Sequence, residues 1–145
     1  NAVSTIRYSD AAANAMLDSG LVPYINTGDG APEVKIYNGT MPATGDTAIG
    51  SQVLLVTLPC SDPWEAGAAA SREVAADTIT GANAVASGTA TWGVLLNGNG
   101  DRVCLFDVGG LSSSAAVKMS STAFVSGQPV SLTALTISIP ASLTG

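Results

Sequence analysis

The stretch from Ala90 to Val108 constrains the fold more than any other part of the chain. Ala90, Trp92, Val94 and Leu96 share one side of an extended backbone, and Cys104, Phe106 and Val108 alternate in the run that follows. Asn97-Gly98-Asn99-Gly100 joins the two runs. A period of two sends successive side chains to opposite faces of a strand, and Asn and Gly tolerate the positive φ that a tight connection needs. The spacing predicts a β-hairpin with Trp92 packed in its core.

The same period recurs on both sides of the hairpin. Val34 and Ile36 alternate with Lys35 and Tyr37 before a turn at Asn38-Gly39. Gln52 to Leu58 is almost continuously apolar, which predicts a central strand covered on both faces and ended by Pro59, which lacks a ladder donor. Ala115, Val117 and Met119 form another short strand, and 122–125 a further one before a turn at Gly127-Gln128-Pro129. In the last run Val130, Leu132 and Ala134 are even-numbered, whereas Leu135, Ile137 and Ile139 are odd-numbered. A β-bulge near Ala134-Leu135 accounts for that change of phase, and so does a strand slipping between two sheets.

One helical segment precedes these strands. Ser9 and Asp10 open it, Ala13, Met16 and Leu17 lie on one face, and Gly20 is placed to end it through a left-handed cap, giving a helix over about 9–19. So short a helix is unstable alone, so its Met16 and Leu17 side must dock on something. Residues 61–76 combine Asp62-Pro63, many alanines and Gly67 without apolar periodicity, and are expected to form a loop with at most a single helical turn. About seven or eight short strands with one small helix predict a mainly β protein, an antiparallel β-sandwich of jelly-roll or immunoglobulin-like order; a small barrel fits the same pattern. A length of 145 residues suits a single domain, spanning 9–145 behind an N-terminal arm at 1–8.

Charge narrows the function. Charged residues make up 11% of the chain, well below the roughly 25% of an average soluble domain, so Ser, Thr, Asn and Gly must supply the surface polarity. Five cations, Arg7, Lys35, Arg72, Arg102 and Lys118, are scattered among eleven acids, for a net charge of −6. Nucleic acid needs clustered cations and anionic lipid a basic stretch, so neither is an expected partner. No apolar run reaches the length of a membrane helix, and no signal peptide is visible at the N-terminus.

Catalytic templates fare no better. The protein has no histidine, which removes the commonest general base, the usual catalytic triads and imidazole metal sites. Cys60 and Cys104 read as two inert buried thiols, although a bridge between them is open on sequence alone. Ser114 stands four residues before Lys118, where a Ser-x-x-Lys motif requires three. No phosphate-binding glycine loop or EF-hand pattern occurs. Asp101 and Asp107 flank one predicted strand and could serve a glycosidase as paired carboxylates, yet solvated turn residues are the simpler reading. Asp29, Asp46 and Asp77 sit in turn-like segments where a carboxylate can bond nearby amides, and Asn38-Gly39-Thr40 reads as a turn rather than a glycosylation site. We expect no enzyme, no cofactor and no metal.

Aromatic and apolar residues supply the candidate contact sites instead. Trp64 lies between chain breakers, either as a plug over one end of the sandwich or as an interface anchor. Tyr8 and Tyr24 bracket the helix and either pack it down or meet a neighbour. With Met16 on the helix face, the candidate interface residues are Tyr8, Met16, Tyr24 and Trp64.

Five sets of segments follow one another along the sequence: Tyr8-Ser9-Asp10 with 14–18, Ile36-Tyr37-Asn38-Gly39 with Pro42-Ala43, Ser61-Asp62-Pro63 with Gly67-Ala68-Ala69, Gly88-Thr89-Ala90-Thr91-Trp92, and Ser126-Gly127-Gln128-Pro129-Val130. In that order they resemble a family of small proteins encoded among the structural genes of tailed bacteriophages. The resemblance spans nearly the whole length and rests on the order of the motifs. It implies a virion component with no catalytic residues to carry over, assembled in the bacterial cytoplasm. A capsid decoration or cement protein on the shell exterior is the first expectation, with the major capsid protein or other virion subunits as partners and a homo-oligomer such as a trimer as its form. The alternative is a tail, baseplate or fibre-associated module that binds a receptor or carbohydrate. The N-terminal arm, residues 1–8, would order on a neighbouring subunit.

Overall fold

The computed structural model describes residues 5–140 and 142–144. In sequence order the elements are β1 (Thr5–Arg7), α1 (Asp10–Met16), a π-helical turn (Leu17–Leu21), α2 (Val22–Ile25), β2 (Glu33–Tyr37), β3 (Leu54–Pro59), β4 (Glu73–Ala75), β5 (Ala82–Asn83), β6 (Gly88–Thr89) and β7 (Trp92–Leu96). There follow β8 (Arg102–Gly110), β9 (Val117–Met119), β10 (Ala123–Phe124), β11 (Pro129–Val130), β12 (Thr136–Ser138) and β13 (Ser142–Thr144).

Five strands form one sheet in the order β3-β2-β7-β8-β9, and it curls like half of a barrel. The predicted hairpin is β7–β8, with Trp92 opposite Asp107 and Leu95 opposite Cys104. Its turn is held by Asn97, whose amide donates to the Asp101 carbonyl at 2.9 Å while Gly100 donates back to the Asn97 carbonyl. Short antiparallel pairs, β4 with β12, β5 with β11 and β6 with β10, give the second layer of a β-sandwich-like fold. Their Val74, Phe124 and Val130 join Val34, Ile36, Leu55, Val56 and Leu95 of the sheet in one core. Burying an aliphatic side chain of this size contributes roughly 1.5–3 kcal/mol, so the core outweighs the short ladders as a source of stability.

Several expectations need correction. The central strand is β7, buried from Trp92 to Leu95, whereas β3 lies at the sheet edge and borrows cover from Val85, whose amide donates to the Leu55 carbonyl. The sheet is not wholly antiparallel, because β9 runs parallel to β8. Residues 111–116 fold back tightly enough that a Cβ on Gly109 would meet Ser113 Oγ at 2.3 Å, and Ser113 Oγ donates to the Gly110 carbonyl. At Ala134-Leu135 there is no bulge within a ladder: the backbone leaves β5 after Val130 and joins β4 at Thr136, the slip between pairings. Of the expected N-terminal arm, 1–4 lie outside the described residues, and β1 pairs with β13 of the same molecule.

The helix also runs further than its sequence pattern suggests. Gly20 is no left-handed cap; it sits within the π turn, and helical structure continues to Ile25. The buried positions are Ala13, Leu17, Val22 and Ile25, at spacings of four, five and three. The step of five is a π turn, in which the Val22 amide donates to the Leu17 carbonyl. Pro23 gives the physical reason, because its ring cannot donate and would clash with the carbonyl four residues back. Widening one turn removes that conflict and keeps the apolar stripe on the core.

Candidate functional site

The 61–76 segment is where the fold departs most from its composition. Its alanines favour helix, yet it folds into an irregular hairpin with bridges at Glu65–Ala76 and Ala70–Glu73. Ala70 and Glu73 exchange backbone bonds of 3.0 and 2.9 Å around Ser71 and Arg72, whose φ values are 52° and 66°. That left-handed pair suits Asn-Gly, and a Ser-Arg sequence adopts it only when something else holds it.

The helix holds it. Asp10, Asn14 and Asp18 follow at intervals of four, on one stripe of the helix. Asn14 Oδ1 accepts from the Arg72 amide at 2.9 Å, and Asp18 Oδ1 accepts from the Ala69 amide at 2.7 Å. The Asp10 carboxylate meets Arg72 Nε, and Arg72 Nη2 donates to the Tyr8 carbonyl. Further along, Asn26 Oδ1 accepts from the Trp64 amide at 2.8 Å, and Asn26 Nδ2 donates to Glu65 at 2.7 Å. Sequence reasoning missed Asn14, Asp18, Asn26 and Arg72; the signal was the polar stripe beside the apolar one.

This clasp decides what the interface candidates can do. Trp64 is 0% exposed and belongs to the core, so its ring is unavailable to a neighbour. Tyr8 is half-buried beside the clasp. Met16 and Tyr24 face outward, 39% and 45% exposed. They are eight residues apart, which in an uninterrupted α-helix would separate them by about 80° around the axis. The π turn absorbs one residue, so the two side chains line up along the outer face.

The other candidates lie apart from this clasp. Trp92 is buried, donates through Nε1 to the Asn38 carbonyl at 2.9 Å and stacks on Tyr37 with ring centroids 4.6 Å apart. Asp101 and Asp107 are both exposed; Asp107 lies within β8 and accepts from the Ala116 amide at 2.7 Å. In the turn that contains Asp46 the acceptor is Thr44, whose Oγ1 takes the amides of Asp46 and Thr47. Cys60 and Cys104 are free thiols, each pushed up to about 11 by burial, with the Glu33 carboxylate adding to the effect at Cys60. Such thiols stay protonated and unreactive near neutrality. Among the described residues no cluster of three or more Cys, Asp or Glu is placed to hold a metal ion, and no helix is long and apolar enough to cross a membrane.

A groove of about 180 Å³ runs beside β9, β10 and β11. Ser120, Ser121, Gln128 and Ser131 supply its polar groups, and Phe124 and Pro129 its apolar ones. Comparison of the sequence and fold with protein-family models, with curated proteins and with solved structures finds no match.

Proposed function

We propose that this protein is a non-enzymatic structural component of a bacteriophage virion, a capsid decoration or cement protein that binds the shell exterior and reinforces contacts between shell subunits. The observation that carries the proposal is the outward row of Met16 and Tyr24 on a helix fixed to the body by the Asn14, Asp18 and Asn26 bonds. A preorganised apolar row loses little entropy on docking. Repetition across a capsid lattice then lets modest contacts act together through effective concentration, and a homo-oligomer such as a trimer multiplies them again. The low charge and the ordered resemblance to phage structural proteins support the same reading. The test is mass spectrometry of purified particles, followed by heat challenge of particles stripped of the protein. The protein is expected in the particles, and stripped particles are expected to break at lower temperature; absence from purified phage, or unchanged resistance, overturns the proposal.

The groove beside β9–β11 favours a second reading, a tail- or fibre-borne module for a polyhydroxylated ligand, because the hydroxyl and amide groups of Ser120, Ser121, Gln128 and Ser131 line it. Glycan-array binding that is lost on Gln128→Ala would favour it over cementing.

A further inference from the structure

The protein holds three Asn-Gly pairs, at Asn38, Asn97 and Asn99, and the fold treats them differently. Asn-Gly is the sequence most open to spontaneous deamidation, because glycine places no side chain in the way of its own amide nitrogen. We propose that Asn99 is a site of self-inflicted modification, converting in the folded protein to aspartate and isoaspartate while Asn38 and Asn97 are protected.

Protection follows from what each side chain is bonded to. Asn38 Oδ1 accepts from the Val53 amide at 2.6 Å, and its carbonyl is held by Trp92 Nε1. Asn97 is buried, and its Oδ1 accepts the amides of Asn99 and Asp101 at 3.0 and 2.9 Å. Both must break native bonds before their carboxamides can turn toward the following nitrogen. Asn99 is exposed, and a Cβ built on Gly100 meets nothing within 4 Å. The Gly100 amide makes one bond, to the Asn97 carbonyl, so breaking that bond frees it.

The chemistry is balanced without any bound cofactor. Hydroxide takes the Gly100 amide proton, the nitrogen attacks Asn99 Cγ, and the bond from Cγ to Nδ2 breaks as the departing nitrogen takes a proton from water, so that ammonia leaves, hydroxide is regenerated and a succinimide remains. Water then adds to either ring carbonyl, opening the ring to aspartate or isoaspartate with no change of oxidation state. The product matters to the fold because this tip rests on the loop before β2: a Cβ on Gly28 would lie 2.4 Å from the Asn99 nitrogen. Isoaspartate adds a methylene to the backbone at that contact and a carboxylate two residues from Asp101. Ageing of the protein would loosen the joint between the helix and the sheet.

The experiment is timed incubation of the folded protein at mildly alkaline pH in ¹⁸O-water, followed by proteolysis and fragment-ion mass spectrometry, with a parallel sample in denaturant. In the folded protein, label is expected at position 99 and at least about tenfold more slowly at 38 and 97, as local opening limits them. In denaturant all three are expected to convert at comparable rates. Equal rates at 97 and 99 in the folded protein overturn the proposal, as does an intact Asn99 over a time in which the unfolded protein is modified.

Discussion

Arg72 Nε and the Asp10 carboxylate meet at 2.7 Å across the junction between helix and hairpin, with Arg72 largely buried and Asp10 largely exposed. The asymmetry predicts unequal costs. Asp10→Ala should lower stability by no more than about 1 kcal/mol, since a pair with one exposed partner gains little over water. Arg72→Ala should cost more, about 1–3 kcal/mol, because it strands the Tyr8 carbonyl and removes a largely buried side chain while the left-handed backbone strain stays unchanged. Arg72→Gly should fall between them, relieving the backbone while losing the bonds. Urea denaturation of the three variants checks the order; a costlier Asp10→Ala would mean that the exposed carboxylate is the essential partner.

Gly20 offers a sharper test of the π turn. A left-handed cap would make Gly20→Ala destabilising, but here the residue has no positive φ, and a Cβ would meet nothing within 4 Å. The substitution should therefore stabilise the protein by about 0.5–1 kcal/mol through helix propensity and a less flexible unfolded state. Thermal melting decides it by the sign of the change alone.

These two sites mark where the sequence was hardest to read, and the strands of the main sheet where it was easiest. Val34, Ile36 and the Asn97–Gly100 turn combine strict alternation with residues that accept positive φ, so β2 and the β7–β8 hairpin were readable. The step of five from Leu17 to Val22 belongs to neither standard period, and Gly20 in its middle imitates a stop signal. At 65–76 the alanines speak for helix, while the tertiary bonds from Asn14 and Asp18, more than fifty residues away, select a hairpin. Alternation says nothing of direction, which hid the parallel course of β9. Within the candidate site, Met16 was legible as an apolar residue on a helix and Tyr24 only as an aromatic beyond its end, because the helix continues through a π turn to Ile25. Trp64 stayed divided between plug and interface anchor because Asn26, which accepts from its amide, lies 38 residues away.

The two thiols predict a pH response. Cys60 and Cys104 rise from the ordinary 9.0 to about 11 in the folded protein, so the folded state holds its protons more tightly than the unfolded state does. The stability this contributes is complete below the unfolded value and is lost as pH climbs from about 9 toward 11. Thiol-specific reagents should react slowly at pH 8 and rapidly once denaturant is added. Denaturation midpoints should fall across the alkaline range, and a Cys60→Ser, Cys104→Ser double variant should show a shallower fall.

The proposed docking row can be separated from folding because it lies outside the core. Met16 and Tyr24 are exposed, so Met16→Asp and Tyr24→Asp should each change stability by less than about 1 kcal/mol. At an interface the same carboxylates would be buried without partners, which costs several kcal/mol and reduces binding by a factor of about a hundred or more. Rebinding of each variant to stripped particles, measured by co-sedimentation, checks this. A matched control is Val85→Asp, at an exposed apolar residue in the segment after β5. If the helix row is the docking surface, the control rebinds like the parent protein while the helix variants stay in solution; equal rebinding of all three would place the contact elsewhere.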